Sequence, residues 1–300
     1  MPRAPTVLVV ALWLLAPWTS DRARSEELLT SVVVDGRANC VEVEYRQVAR
    51  RVHLGPGVYT FTVERGNGIV YGPQRAYRSR RPVNVLLDFD PAKASALAGY
   101  DRQQTAAPIA AAGLFWPSGH QQRSSLRVRV KFETDVYAYL IDRRTDGNTG
   151  GVMLRVDAGE VRVYPPKGDP VARLWVDARR NCLSVDLRAV AKAIMLEPGH
   201  YCVDLGTGAL IYGAGAEYRD RPVRNVLLDL DPAKVGVWEP GEGDPPGHYP
   251  VGAFGLNRAV SEMNLEVRAR TTIYAYVLDY HAAGNGGSIE VRVYRGCRGL

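Results

Sequence analysis

Asn84-Val85-Leu86-Leu87-Asp88, followed by Asp90-Pro91-Ala92-Lys93, returns 141 residues later as Asn225-Val226-Leu227-Leu228-Asp229, followed by Asp231-Pro232-Ala233-Lys234. An unbroken apolar run closed by an Asp-x-Asp-Pro turn signal reads as a central β-strand. The match extends in both directions. Upstream, Val34-Asp35, Asn39-Cys40 and Leu54-x-Pro56-Gly57-x-Tyr59 correspond to Val176-Asp177, Asn181-Cys182 and Leu196-x-Pro198-Gly199-x-Tyr201, all at an offset of 142. Tyr71-Gly72 corresponds to Tyr212-Gly213. Downstream, Gly113 and Phe115 correspond to Gly252 and Phe254 at 139, and Tyr137-Ala138-Tyr139 and Asp142 to Tyr274-Ala275-Tyr276 and Asp279 at 137. An offset that shrinks in small steps is the mark of short loop deletions. The period is too long for a solenoid, so the chain reads as two tandem copies of one complete domain.

Within each copy the apolar residues alternate. Val32-Val33-Val34, Tyr59-Thr60-Phe61-Thr62-Val63 and Leu126-Arg127-Val128-Arg129-Val130 in the first copy, and Leu265-Glu266-Val267-Arg268-Ala269 and Ile289-Glu290-Val291-Arg292-Val293 in the second, place alternate side chains on opposite faces. The interleaved arginines read as a solvated outer face. Leu-x-Pro-Gly-x-Tyr reads as a tight turn that feeds a strand. Helix is expected only over 47–52 and 187–193. The fold class is therefore all-β: about eight strands per copy, folded as a two-sheet sandwich of jelly-roll type.

The boundaries follow from composition. Residues 1–20 read as a signal peptide, with Arg3 ahead of the apolar run Val7–Ala16, which is too short to span a bilayer. Residues 25–164 form the first sandwich, the Pro/Gly-rich 165–171 a linker, and 172–298 the second. The mature chain is expected to be secreted, periplasmic or at the cell surface, without membrane insertion. Over 300 residues, 46% hydrophobic and 23% charged excludes a disordered chain, a collagen and a polytopic membrane protein. The 38 Lys+Arg and 32 Asp+Glu are intermixed, which supports a solvated surface and no nucleic-acid partner. Export permits disulfides. Of the three ways to pair four cysteines, the one expected here joins Cys182 to Cys202 and Cys40 to Cys297.

Near the end of each copy an aspartate leaves an aromatic strand and enters a Gly/Asn loop: Asp142…Asp146-Gly147-Asn148-Thr149-Gly150-Gly151, and Asp279…Gly284-Asn285-Gly286-Gly287. Carboxylate, amide and backbone oxygens in such a loop suit calcium, which takes six to eight oxygens at about 2.3–2.6 Å; the same residues also build ordinary polar turns. Asp88/Asp90 and Asp229/Asp231 are paired carboxylates whose expected role is to end a strand and cap a turn. Neither Gly-x-Ser-x-Gly nor His-Glu-x-x-His is present, and the chain is expected not to be an enzyme.

Gly68-Ile69-Val70-Tyr71-Gly72-Pro73-Gln74, Pro108-Ile109 with Gly113-Leu114-Phe115-Trp116, and the Asp142–Gly151 loop together resemble the PA-I type galactophilic lectins of bacteria, calcium-dependent sugar binders with a jelly-roll fold. The resemblance implies calcium held by the Tyr71 carbonyl, the Asp142 carboxylate and the Asn148 amide, with Asp146 in place of a missing second asparagine. In the second copy it implies Tyr212, Asp279 and Asn285. Gln74 and Trp116 are the residues expected against the sugar, Trp116 by stacking on its ring. The chain departs from the pattern in a shorter late loop and in Arg78-Ser79-Arg80-Arg81-Pro82, where the family carries a sugar-contacting His/Gln loop. The expected function is calcium-assisted binding of a carbohydrate or glycoconjugate. The alternative is a structural or protein-interaction module of the cell envelope, and a hydrolase built on the Asp pairs is a third reading.

Overall fold

The computed structural model describes residues 27–295 apart from 36, 39, 73–77, 79–80, 99–104, 116–124, 160–169, 214, 220, 240–246, 251–252 and 258–261. The expected leader (1–20), most of the linker, Gln74, Trp116 and Cys297 lie outside the described residues. The first copy supplies β1 (Glu27–Asp35), β2 (Cys40–Glu42), β3 (Arg50–Leu54), β4 (Gly57–Val70), β5 (Asn84–Asp88), β6 (Ala94–Ala98), β7 (Thr105–Pro108), β8 (Ala111–Phe115), β9 (Ser125–Val130), β10 (Thr134–Asp142) and β11 (Thr149–Ala158). The second supplies β12 (Ala172–Asp177), β13 (Cys182–Ser184), β14 (Lys192–Leu196), β15 (Gly199–Ile211), β16 (Asn225–Asp229), β17 (Val235–Glu239), β18 (Gly247–Pro250), β19 (Ala253–Asn257), β20 (Glu262–Val267), β21 (Thr271–Asp279) and β22 (Gly286–Arg295). The chain is all-β, and its pairing is antiparallel except where β2 and β13 join β21 and β10.

The strands form four sheets that correspond in pairs. The six-stranded sheets run β12-β11-β4-β9-β6-β7 and β1-β22-β15-β20-β17-β18. The five-stranded sheets run β13-β10-β5-β8, with β3 also on β10, and β14-β21-β16-β19, with β2 also on β21. The 165–171 boundary does not divide these sheets. Each copy places its two leading strands in the other's sheets: β1 and β2 pair with β22 and β21, while β12 and β13 pair with β11 and β10. Locality accounts for the exchange. β12 takes the edge beside β11, the strand that precedes it in the chain, as sequential strands commonly do. The corresponding edge at β22 is then filled by β1.

Three apolar layers hold the four sheets together. Phe61, Val63, Val85, Leu87, Val128, Val136 and Leu154 form the first core, which the exchanged Leu174, Val176 and Cys182 enter. Tyr201, Val203, Val226, Leu228, Leu265, Ile273 and Val291 form the second, joined by the exchanged Val34 and Cys40. Leu86, Tyr139, Ile141, Leu227, Tyr276 and Leu278 form a third between the two five-stranded sheets, with Val41, Tyr45, Leu183 and Leu187. Side chains alternate along a strand, so Val85 and Leu87 face one core and Leu86 the next. The continuous run Asn-Val-Leu-Leu-Asp thus belongs to a strand covered on both faces. Full burial of one such leucine contributes about 1.5–3 kcal/mol.

Local signals act as the sequence suggests, with exceptions. Leu-x-Pro-Gly-x-Tyr joins β3 to β4 and β14 to β15, and its tyrosine latches the turn: the Tyr59 hydroxyl donates to the Gly55 carbonyl at 3.0 Å and that of Tyr201 to Glu197 at 2.8 Å. The expected helices at 47–52 and 187–193 shrink to 3-10 turns at Tyr45–Gln47 and Leu187–Ala189, because the alternating residues that follow are claimed by β3 and β14. Not every outward arginine is solvated: Arg129 is exposed, but Arg127 and Arg155 are buried, and Arg155 grips Asp157 through Nε and a terminal nitrogen at 2.8–3.0 Å. Among the described residues no helix is long and apolar enough to cross a membrane.

Candidate functional site

In the first copy, Asp142 ends β10, Asn148 stands just before β11, and Tyr71-Gly72 follows β4. These three places meet. The Asn148 amide oxygen accepts from the Gly72 N–H at 2.7 Å, and its NH2 reaches the Cys182 sulfur at 3.8 Å. The second copy repeats the arrangement: Asn285 accepts from the Gly213 N–H at 2.9 Å and its NH2 lies 3.4 Å from the Cys40 sulfur. Each asparagine therefore clamps three segments: the Tyr-Gly turn, the late loop and a cysteine strand delivered by the other copy. The loop glycines are steric requirements. Gly150 and Gly287 have φ of +85° and +73°, and a Cβ there would run into the backbone carbonyls of Gly68 and Ala209.

Burial raises the carboxyls of Asp142 and Asp279 above the usual range, against hydrogen bonds from Asn148 and Asn285 and from the loop N–H groups that follow. The Tyr280 N–H, for instance, donates to Asp279 at 2.6 Å. Asp146 is exposed, and Ala283 stands at its position in the second copy. Among the described residues, no three His, Cys, Asp or Glu side chains gather closely enough to share a metal ion. A calcium set here would rest on one carboxylate and a backbone carbonyl, plus the second lone pair of the clamped amide oxygen.

The expected disulfides do not form. Cys40 and Cys182 are free and buried. Strand exchange explains this: Cys182 sits in the first core, whereas Cys202 sits on β15 of the other six-stranded sheet, on the face opposite the core residues Tyr201 and Val203. Cys202 is disulfide-bonded; Cys297, the remaining cysteine of the sequence, lies outside the described residues. Burial pushes the Cys40 thiol up to about 12 and moves that of Cys182 in the same direction.

The structure also builds two clefts between the copies that no single stretch of sequence announces. One, of about 390 Å³, is lined by Asp88 and Asp90 of the first copy and by Tyr212, Asp279, Tyr280 and His281 of the second, with Tyr45 and Arg46. The other, of about 760 Å³, is lined by the corresponding Asp229 and Asp231 of the second copy and Tyr71, Asp142, Arg143 and Arg144 of the first, with Leu187 and Arg188. The late-loop aspartate of one copy thus faces the Asp-x-Asp-Pro of the other. The second aspartate of each pair caps its turn as expected, Asp90 accepting from the Ala92 N–H at 2.9 Å and Asp231 from the Ala233 N–H at 3.0 Å. The first aspartates differ. Asp88 accepts the Tyr45 hydroxyl at 2.7 Å. Among the described residues Asp229 accepts no hydrogen bond, and burial, with the Asp142 charge, pushes its carboxyl up to about 7. The signal for these clefts was the twofold recurrence of the Asp pairs; their opposing walls are too distant in sequence for spacing to show.

No family model matches the chain, and no curated protein matches it. Among solved structures, oxalate decarboxylase from Bacillus subtilis aligns at 9% identity over 90% of this chain and 73% of that one, with a TM-score of 0.11. A likeness at that score carries no argument about fold or activity.

Proposed function

We propose that the chain is an exported, non-catalytic binder of carbohydrate or glycoconjugate, built from two interlocked sandwiches of jelly-roll type, and that its ligand sits between the copies. The observation that carries this reading is the composition of the clefts. Each gathers planar acceptors (Asp142, Asp229 and Asp231, or Asp88 and Asp279) beside tyrosine rings and guanidinium donors, which are Arg143, Arg144 and Arg188 in the larger cleft and Arg46 in the smaller. A polyhydroxylated ligand needs donors and acceptors together with an apolar face, and a preformed concave site supplies all three.

Calcium enters the proposal at Tyr71 and Asp142, and at Tyr212 and Asp279. A cation there would supply the charge that the half-buried carboxylates lack and would bring their pKa down. Asn148 and Asn285 would contribute only the lone pair that the glycine N–H leaves open.

A glycan array probed with the full chain, in calcium and in chelator, tests the reading. Retention of a defined set of glycans, reduced at least tenfold by chelator or by Asp142→Ala, is the expected result. Retention indifferent to chelator removes the metal; no retention above background removes the carbohydrate reading.

A further inference from the structure

The two clefts have the same ancestry and different interiors. Tyr45 and Leu187 occupy equivalent places, each in the 3-10 turn that follows an exchanged strand. In the smaller cleft, Tyr45 fills the deep wall. It stacks on Tyr139 with ring centroids 5.5 Å apart and an interplanar angle of 14°, and meets Tyr137 and Tyr280 edge-on at 5.5 and 6.3 Å. Its hydroxyl satisfies Asp88. In the larger cleft Leu187 has no hydroxyl to give, and Asp229 is left without a donor among the described residues. The Tyr71 and Tyr276 hydroxyls, both within electrostatic reach of Asp229, are buried and unpartnered, as are the equivalent Tyr212 and Tyr139 hydroxyls near Asp88. A polar group enclosed without a partner calls for something to meet it. The cleft is about 760 Å³, inside the ~300–1,000 Å³ range of small-molecule sites.

We infer that the larger cleft alone takes the ligand, and that a ligand hydroxyl donates to Asp229 where Tyr45 donates to Asp88 in the smaller one. The phenol of Tyr45 is a built-in occupant: it takes the Asp88 acceptor in the smaller cleft, and its replacement by Leu187 leaves the Asp229 acceptor of the larger one open to a ligand. The open cleft combines the Asp229 acceptor with the Arg143, Arg144 and Arg188 guanidiniums as donors. That combination fits a neutral sugar carrying a hydroxyl flanked by further oxygens. The inference rests on the carbohydrate reading and adds a stoichiometry of one site per chain.

Calorimetric titration of the full chain with methyl glycosides of the common neutral hexoses tests it. The expected result is binding at one equivalent. Asp229→Asn, which keeps the shape, should weaken it at least tenfold. Leu187→Tyr should weaken it similarly, at a melting temperature close to that of the parent, and Tyr45→Leu should raise the stoichiometry to two. Two equivalents in the parent, or binding unchanged by Asp229→Asn, overturns the assignment and leaves the carbohydrate reading standing. No heat with any glycoside, together with a blank glycan array, overturns both.

Discussion

Asp88 and Asp229 close identical pentapeptides and lie at the ends of equivalent strands; burial pushes both carboxyls up, but they meet different partners. One receives a phenol hydrogen bond; the other meets burial and the charges of Asp142 and Asp231, with Arg188 acting against them. Nothing within either copy's own strand produces the difference. It comes from residues 45 and 187, which each copy's leading segment carries into the layer between the two five-stranded sheets. Two local sequences can thus be indistinguishable while their chemistry is decided by a neighbour more than forty residues away.

The largest effect is expected where the copies are alike. Leu86→Ala and Leu227→Ala, both fully buried in the middle layer, should each cost about 2–5 kcal/mol by urea denaturation. A large inequality would show that the middle layer is not shared evenly.

Asp229→Asn comes next. The folded carboxyl titrates near 7, above its ordinary 3.8, so the native state holds a proton that the unfolded chain has released. Its contribution is fully present below about pH 4 and is lost as pH rises through 7. The variant should therefore be the more stable protein at pH 8, by on the order of 2 kcal/mol once partial contact with water is allowed for. The advantage should vanish at pH 4. Urea midpoints at the two pH values give the answer, and equal midpoints at pH 8 would place Asp229 in water.

Tyr45→Phe should cost about 1–3 kcal/mol by the same measurement, because it strands the Asp88 carboxyl in a buried place. The smallest signal is an expected null. Cys40 and Cys182, buried equivalents with thiols pushed up, should remain unlabelled by a thiol reagent at pH 8 until denaturant is added. Labelling of one alone in the native protein would mark an opening confined to one copy.

Much of the fold was legible because its signals are local. The repeated motifs, the alternating runs and the Pro-Gly-x-Tyr turns each fall on the elements they suggest. The exchange of β1–β2 with β12–β13 was not legible. Alternation tells which side of a strand is apolar but not which sheet edge will receive it, and both edges offer the same backbone partners. The disulfide expectation for Cys182 failed for that reason. The candidate site was legible in part: Tyr71, Asp142 and Asn148 do meet, since the pairing of β4 with β11 sets Thr149 opposite Val70. That Asn148 holds a glycine N–H, and that Asp142 looks across at Asp229 and Asp231, depends on contacts that no spacing encodes.

The reciprocal loan of edge strands has an evolutionary consequence. A gene that lost either copy would leave the survivor with two orphaned strands and two bare sheet margins, and bare margins invite pairing with other chains. Once the duplicated copies had clasped one another, loss of either would oblige the survivor's leading strands to turn back onto its own sheet margins.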